Sequence, residues 1–153
     1  MKNNLVTKTE GYLVFKIDTQ LYAFPLNQIK EVVSMPKLTP LPDPPPNWEG
    51  LMNLRETHIP ILNLRTRIGY PREPVRFKTA IIIMKEPSNE NKQSVGIIVD
   101  EILSVEFPQK IERQINSPSL LSKEVFNMDN KTILVISLEN ILDGDIPWNI
   151  HHL

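Results

Sequence analysis

The chain has 153 residues, 17 basic against 18 acidic side chains for a net charge of −1, 41% hydrophobic residues and no cysteine. That length allows one domain, or two very small ones, with a real core. The even balance of charge lacks the cationic excess that drives nonspecific nucleic-acid binding or holds a protein on an anionic membrane, and without thiols neither disulfides nor thiolate metal sites are available. Fourteen prolines against five glycines point to short elements joined by stiff turns rather than to long amphipathic helices.

Residues 1–11 are polar, lack the apolar segment of a secretory signal and read as a flexible N-terminus. Residues 12–18 alternate, with Leu13, Phe15 and Ile17 on one face and Val14 and Lys16 on the other, which is a strand period. Residues 21–26 return across Asp18-Thr19-Gln20 as the second arm of a hairpin. A brief helical turn over 27–30 leads into a β-branched third strand, 29–35. Residues 36–47, PKLTPLPDPPPN, read as a proline-rich connector crossing the surface in extended form, in preference to a ligand for an aromatic-groove domain.

Residues 48–69 hold two apolar runs around a sharp polar break. Strands 48–54 and 58–64 are expected about the turn Arg55-Glu56-Thr57. Pro60 places the second strand at an edge or turns its missing N–H outward. One helical turn over 64–68 should end at Gly69. Residues 70–76, polar and proline-punctuated, mark the boundary between two halves. In 77–85 the run Ile81-Ile82-Ile83 shows no alternation, so this strand should be buried on both faces. A polar loop over 86–93 follows, then strands 94–100 and 102–107. Residues 108–122 look irregular. Strands 125–129 and 132–138 form a hairpin about Asn130-Lys131, a short helix covers 138–142 before Gly144, and 144–153 is a tail. The longest apolar run, 80–84, is too short to cross a bilayer, and the chain reads as cytoplasmic. LYAFPLNQIKEVV and SVGIIVDEILSVEF share one plan, an apolar strand, a polar pair and a second strand with an acid among its apolar residues. Two halves built alike suggest two small antiparallel barrels made from about ten strands and packed together.

Candidates for chemistry fail one by one. No Gly-x-Ser-x-Gly occurs, and Ser34-Met35-Pro36-Lys37 matches Ser-x-x-Lys only with a proline where a helix would have to run. His58 stands alone in a strand, and His151-His152 lack carboxylates at ligand spacing. The glycines at 11, 50, 69, 96 and 144 are scattered, so no phosphate-cradling loop exists. Asp100-Glu101 point to opposite faces of a strand, and the Asn130-Lys131-Thr132 sequon falls in a hairpin turn. Neither a cofactor nor a metal is indicated. Glu31 and Arg55 are different, because each lies beside apolar residues at a sheet face. Such charges are either solvated and worth little or the rim of an apolar docking patch, where they set register and partner choice.

Three segments in order, YLVFKIDTQLYAFPLNQIKEVV, PLPDPPPNWEGLMNLRETHIPILNLRTRIG and SVGIIVDEILSVEF, resemble the CheW family of chemotaxis coupling proteins. The first is similar to that family's opening hairpin and the second to its proline-rich approach to Gly-x-x-Asn-Leu-Arg-Gly. The third is similar to its Val-Gly-x-x-Val-Asp-x-Val segment. The resemblance spans residues 12–143 as one domain of two intertwined barrel halves. It implies an all-β fold of two packed five-stranded antiparallel SH3-like β-barrels with short helical turns and an apolar core between them. It further implies a noncatalytic, cytoplasmic adaptor at receptor arrays on the inner membrane; a stand-alone protein is expected, because the resemblance leaves too few of the 153 residues for a receiver domain or kinase core. Its partners would be the regulatory domain of a CheA-type histidine kinase and the cytoplasmic tips of chemoreceptors, with no nucleic acid and no membrane insertion. Carried over, Glu31 and Arg55 fall on residues implicated in partner contact, and Ile29, Gly50, Ile102 and Val105 on further positions of the binding surfaces. One departure stands out. Glu56 occupies the place of the family's glycine, which usually supplies a positive φ, so a turn of different form is expected after Arg55. The alternative of another class is a small-barrel nucleic-acid binder, which would need basic residues interleaved with exposed aromatics.

Overall fold

The short apolar runs become eleven strands, two short helices and a 3₁₀ turn in a computed structural model of the chain, which describes residues 10–86, 93–113, 122 and 124–142. The expectations for residues 1–9, most of the 86–93 loop, residues 114–121 and the tail with Gly144, His151 and His152 lie outside those residues. In chain order the strands are β1 (Tyr12–Ile17), β2 (Gln20–Pro25), β3 (Ile29–Ser34), β4 (Trp48–Leu54), β5 (Thr57–Asn63), β6 (Ala80–Met84), β7 (Gly96–Val99), β8 (Glu101–Glu106), β9 (Glu112–Arg113), β10 (Glu124–Met128) and β11 (Lys131–Val135). A 3₁₀ turn, Leu26–Gln28, separates β2 from β3, and the short helices are α1 (Leu64–Arg67) and α2 (Leu138–Ile141).

Hydrogen bonding assembles these strands into two sheets, ordered β8-β1-β2-β11-β10-β9 and β3-β6-β7-β5-β4. Two corrections follow. The expected pair of five-stranded closed barrels is a six-stranded and a five-stranded sheet, and among the described residues neither ladder closes on itself. Closure needs continuous pairing around the ring, and the first sheet ends in β9, only two residues long, within a segment expected to be irregular. Nor is the pairing wholly antiparallel, since β11 runs parallel to β2 and β5 parallel to β7. Parallel neighbours need long connections, and strand periodicity carries no information about which distant strand becomes a neighbour.

The apolar pattern explains the layering. Leu13, Phe15 and Ile17 of β1 join Ile82, Met84, Ile97 and Val99 of the other sheet in a central cluster, so the expected core between the two units is present. Val14 instead packs with Leu21, Ala23, Phe126 and Ile133 on the far face of the first sheet. Ile81 and Ile83 pack with Met52, Ile59 and Ile61 on the far face of the second. The unbroken isoleucine run therefore marks a strand buried on both faces, as its lack of alternation indicated.

Proline positions fit the same ladders. Pro60 is not in an edge strand, because β5 lies between β4 and β7. It pairs in register with Leu51, whose N–H and C=O both turn away to Thr39 at 2.9 and 2.8 Å. Pro60 thus turns its own missing donor away from β4, one residue before pairing with β7 begins at Ile61. In the connector, Thr39 bridges to Leu51 and Asp43 sits at φ 53°, which interrupts the polyproline geometry that a groove ligand would require.

Candidate functional site

The β4–β5 hairpin turns on Arg55 and Glu56 alone, at φ 49° and 69°, with Leu54 and Thr57 paired across it. Positive φ at both central residues is the type I′ geometry that follows the right-handed twist of the flanking strands. Glu56 therefore keeps the backbone conformation that a glycine would supply, which overturns the expectation of a different turn. A side chain there costs about 1–2 kcal/mol.

This turn aims Arg55 at β3. Its Nη1 donates to Glu31 Oε2 at 2.8 Å and its Nη2 to Oε1 at 3.3 Å, a two-pronged contact that fits planar guanidinium to carboxylate. Since β3 and β4 are the two ends of the five-stranded sheet, the pair clasps ends that no ladder joins. Val33 from β3 and Leu54 from β4 meet beneath it on one cluster. Arg55 is 71% exposed in its side chain and Glu31 27%. The Arg55 hydrogen bond holds the Glu31 carboxyl below its ordinary range, and the same bond raises the Arg55 guanidinium.

Ile29 and Ile102 are half-buried and lean on the central cluster. Val105 is 46% exposed on β8, in line with exposed Leu103 and Phe107. Gly50 takes another role. It is buried in a bulge of β4 at φ 134°, and a Cβ there would lie 2.5 Å from the Thr39 carbonyl oxygen. It allows the connector backbone to approach β4 and presents no side chain to the surface.

The structure brings together Glu31 and Arg55 by direct contact, and Ile102 with the far end of β3. Both β3 and β8 are edge strands of their sheets, and a groove of about 370 Å³ lies between them, lined by Val32, Val33, Ile102 and Phe77 among others. These two strands are the second arms of the two similar sequence segments. Each of those segments crosses from one sheet to the other, β2 to β3 and β7 to β8. The resemblance between them thus shows as a pair of matched edges.

Two residues that sequence reasoning passed over belong here. Phe77 was placed at the start of a buried strand but precedes β6 and is 100% exposed. Arg65, 8% exposed, beds in a cleft of about 830 Å³ beside that groove. Its Nη1 donates to Asp100 Oδ2 at 2.8 Å, its Nη2 to Asp18 Oδ1 at 3.0 Å and its Nε to the Pro71 carbonyl at 2.7 Å. Burial opposes its charge, but the surrounding carboxylates outweigh that, and the guanidinium is raised from its ordinary value. A signal existed: Asn53-Leu54-Arg55 recurs as Asn63-Leu64-Arg65, one arginine exposed at a turn and the other buried within α1. Asn63 sets that second orientation by accepting the Thr66 amide at 3.3 Å as the N-cap of α1.

Among the described residues no group of three or more His, Cys, Asp or Glu side chains could hold a metal ion, and none of their helices is long and apolar enough to cross a membrane. A clasped sheet end, a groove of mixed polar and apolar lining between two edge strands and exposed apolar side chains along one of them characterise a small two-sheet β module. The chain belongs to the CheW-like domain family, whose model matches residues 11–145. It is 27% identical over 137 residues to the chemotaxis protein CheW of Thermotoga maritima, covering 86% of each chain. To that of Bacillus subtilis it is 27% identical over 143 residues, covering 89% of this chain and 88% of the relative. Its structure resembles the crystal structure of the scaffolding protein TtCheW from Thermoanaerobacter tengcongensis, with a TM-score of 0.79 at 25% identity over 90% of this chain and 95% of the other.

Proposed function

We propose that this protein is a noncatalytic adaptor that couples chemoreceptors to a CheA-type histidine kinase, in the cytoplasm at inner-membrane receptor arrays. The observation that carries the reading is its match to the CheW-like domain over residues 11–145, which takes in every strand of both sheets. The surface supports it. Ile29, Glu31, Arg55, Ile102 and Val105 lie on or beside the matched edges β3 and β8, where apolar side chains supply contact area and the clasp sets register. Gly50 acts indirectly, by keeping the connector against β4. A nucleic-acid role lacks such support. The exposed Phe77 does stand between two basic residues, but Arg76 is paired with Glu73 at 3.1 Å and Lys78 with Glu101 at 3.4 Å, so neither charge is offered unpaired to a phosphate.

Titration of the purified protein with a kinase regulatory domain and with a receptor signalling-tip fragment tests this reading. Both should bind. Arg55→Glu should leave the circular dichroism spectrum and melting temperature nearly unchanged, as surface charge reversals do, and weaken at least one partner roughly tenfold or more. Failure of the unaltered protein to bind either partner would sink the adaptor reading. A variant that melts early yet binds normally would make Arg55 a structural residue.

A further inference from the structure

Residues 70–79 form a strap from α1 to β6 with no strand or helix of their own. The strap nevertheless holds Phe77 fully exposed at the rim of the β3–β8 groove. A large aromatic ring kept in water adds nothing to the fold, since its stabilising burial is forgone. Its local posture is fixed by a tight turn, in which the Arg76 amide donates to Thr79 Oγ1 at 2.9 Å and the Thr79 amide to the Arg76 carbonyl at 3.1 Å. Arg76 in turn reaches back to Glu73.

What that turn is anchored to is Arg65. Its guanidinium takes the Pro71 carbonyl at 2.7 Å, lies 5.4 Å from the centre of the Tyr70 ring and stands 3.9 Å from Glu73. The same group bonds Asp18, in the β1–β2 turn of the six-stranded sheet, and Asp100, where the chain crosses from β7 to β8. Those two acids are themselves tied, the Asp18 amide donating to Asp100 Oδ2 at 2.7 Å. One buried fork thus joins the strap, the helix behind β5 and both sheets. A lysine, with a single compact ammonium, cannot span these partners.

We infer that Arg65 is a positioning residue for the docking edge, fixing the strap to the junction of the two sheets and so setting where Phe77 stands beside the groove. The consequence for binding rests on the adaptor reading, whereas the positioning does not. Hydrogen exchange separates them. In Arg65→Lys the amides of Asp18, Arg76 and Thr79 should exchange roughly tenfold faster or more, while those of Ile82 and Ile97 in the central strands keep their rates. Glu73→Gln leaves the Asp18 and Asp100 bonds in place and should speed only Arg76 and Thr79. Unchanged exchange in both variants, or a uniform rise across all amides, overturns the inference and leaves Arg65 as general stabilisation. In the binding arm, Phe77→Ser and Arg65→Lys should each weaken the same partner, kinase domain or receptor-tip fragment, by roughly tenfold, and the double variant no further, because the two act through one feature. If the unaltered protein binds and Arg65→Lys binds equally well, the link from strap to docking is overturned. If the unaltered protein binds neither partner, the adaptor reading falls and exchange alone decides the role of Arg65.

Discussion

Glu56 holds a left-handed conformation, φ 69°, at a turn position that favours glycine. Removing its Cβ removes the steric penalty, and the extra freedom gained by the unfolded chain offsets part of the benefit. Glu56→Gly should therefore stabilise the protein by about 0.5–1 kcal/mol, measured by urea unfolding, without displacing Arg55 from Glu31. Tyr22 supplies a second residue-scale outcome. Burial above all, with Tyr70 nearby, pushes its phenol up to about 12. The folded protein keeps that proton after the unfolded chain has lost it, so the contribution is whole below about pH 10 and disappears as pH rises from there to about 12. Stability should fall by about 2–3 kcal/mol across that window, and Tyr22→Phe should abolish this part of the alkaline loss.

At the level of elements, most of the structure was legible. Residues 48–54 form β4 with the bounds expected, because a proline-rich stretch and a two-residue turn bracket the run. The strand at 29–35, the turn of helix at 64–68 and the short helix at 138–142 appear within a residue or two. The errors share a cause. The strand expected from residue 77 begins at Ala80, since Phe77 and Thr79 are strand-favouring residue types while Arg76 and Thr79 bond each other into a turn. Glu112–Arg113 becomes a strand through pairing with Glu124 and Val125, which no local pattern announces. The candidate site divides in the same way. The exposed arginine of the first Asn-Leu-Arg was found because it sits in a turn between apolar runs. Its buried counterpart escaped because its partners, Asp18 and Asp100, come from distant parts of the chain.

Across the whole molecule the sequence suggested two similar units but not how they share strands. The chain enters the second sheet at β3 and returns to the first at β8, and the central cluster takes side chains from both. Each sheet has a smaller cluster of its own on its far face, but both contribute to the larger central one, so the two should unfold in one cooperative step. Trp48 reports on the five-stranded sheet, and Trp148→Phe would leave it the lone tryptophan of the two in the chain. Its fluorescence midpoint in urea should coincide with that of far-ultraviolet circular dichroism. Two separated midpoints would show that the sheets are independent.

The parallel pairing of β2 with β11 also bears on how the protein is made. Gln20 donates a hydrogen bond to the carbonyl of Thr132, 112 residues further along, so one neighbour of β2 is synthesised long after β2 itself. At ordinary rates of translation the β1–β2 hairpin waits roughly 5–20 s on the ribosome with one flank bare. That flank is an open ladder edge, the feature that invites strand pairing between chains. Chains cut short before residue 131 would keep that flank of β2 open permanently.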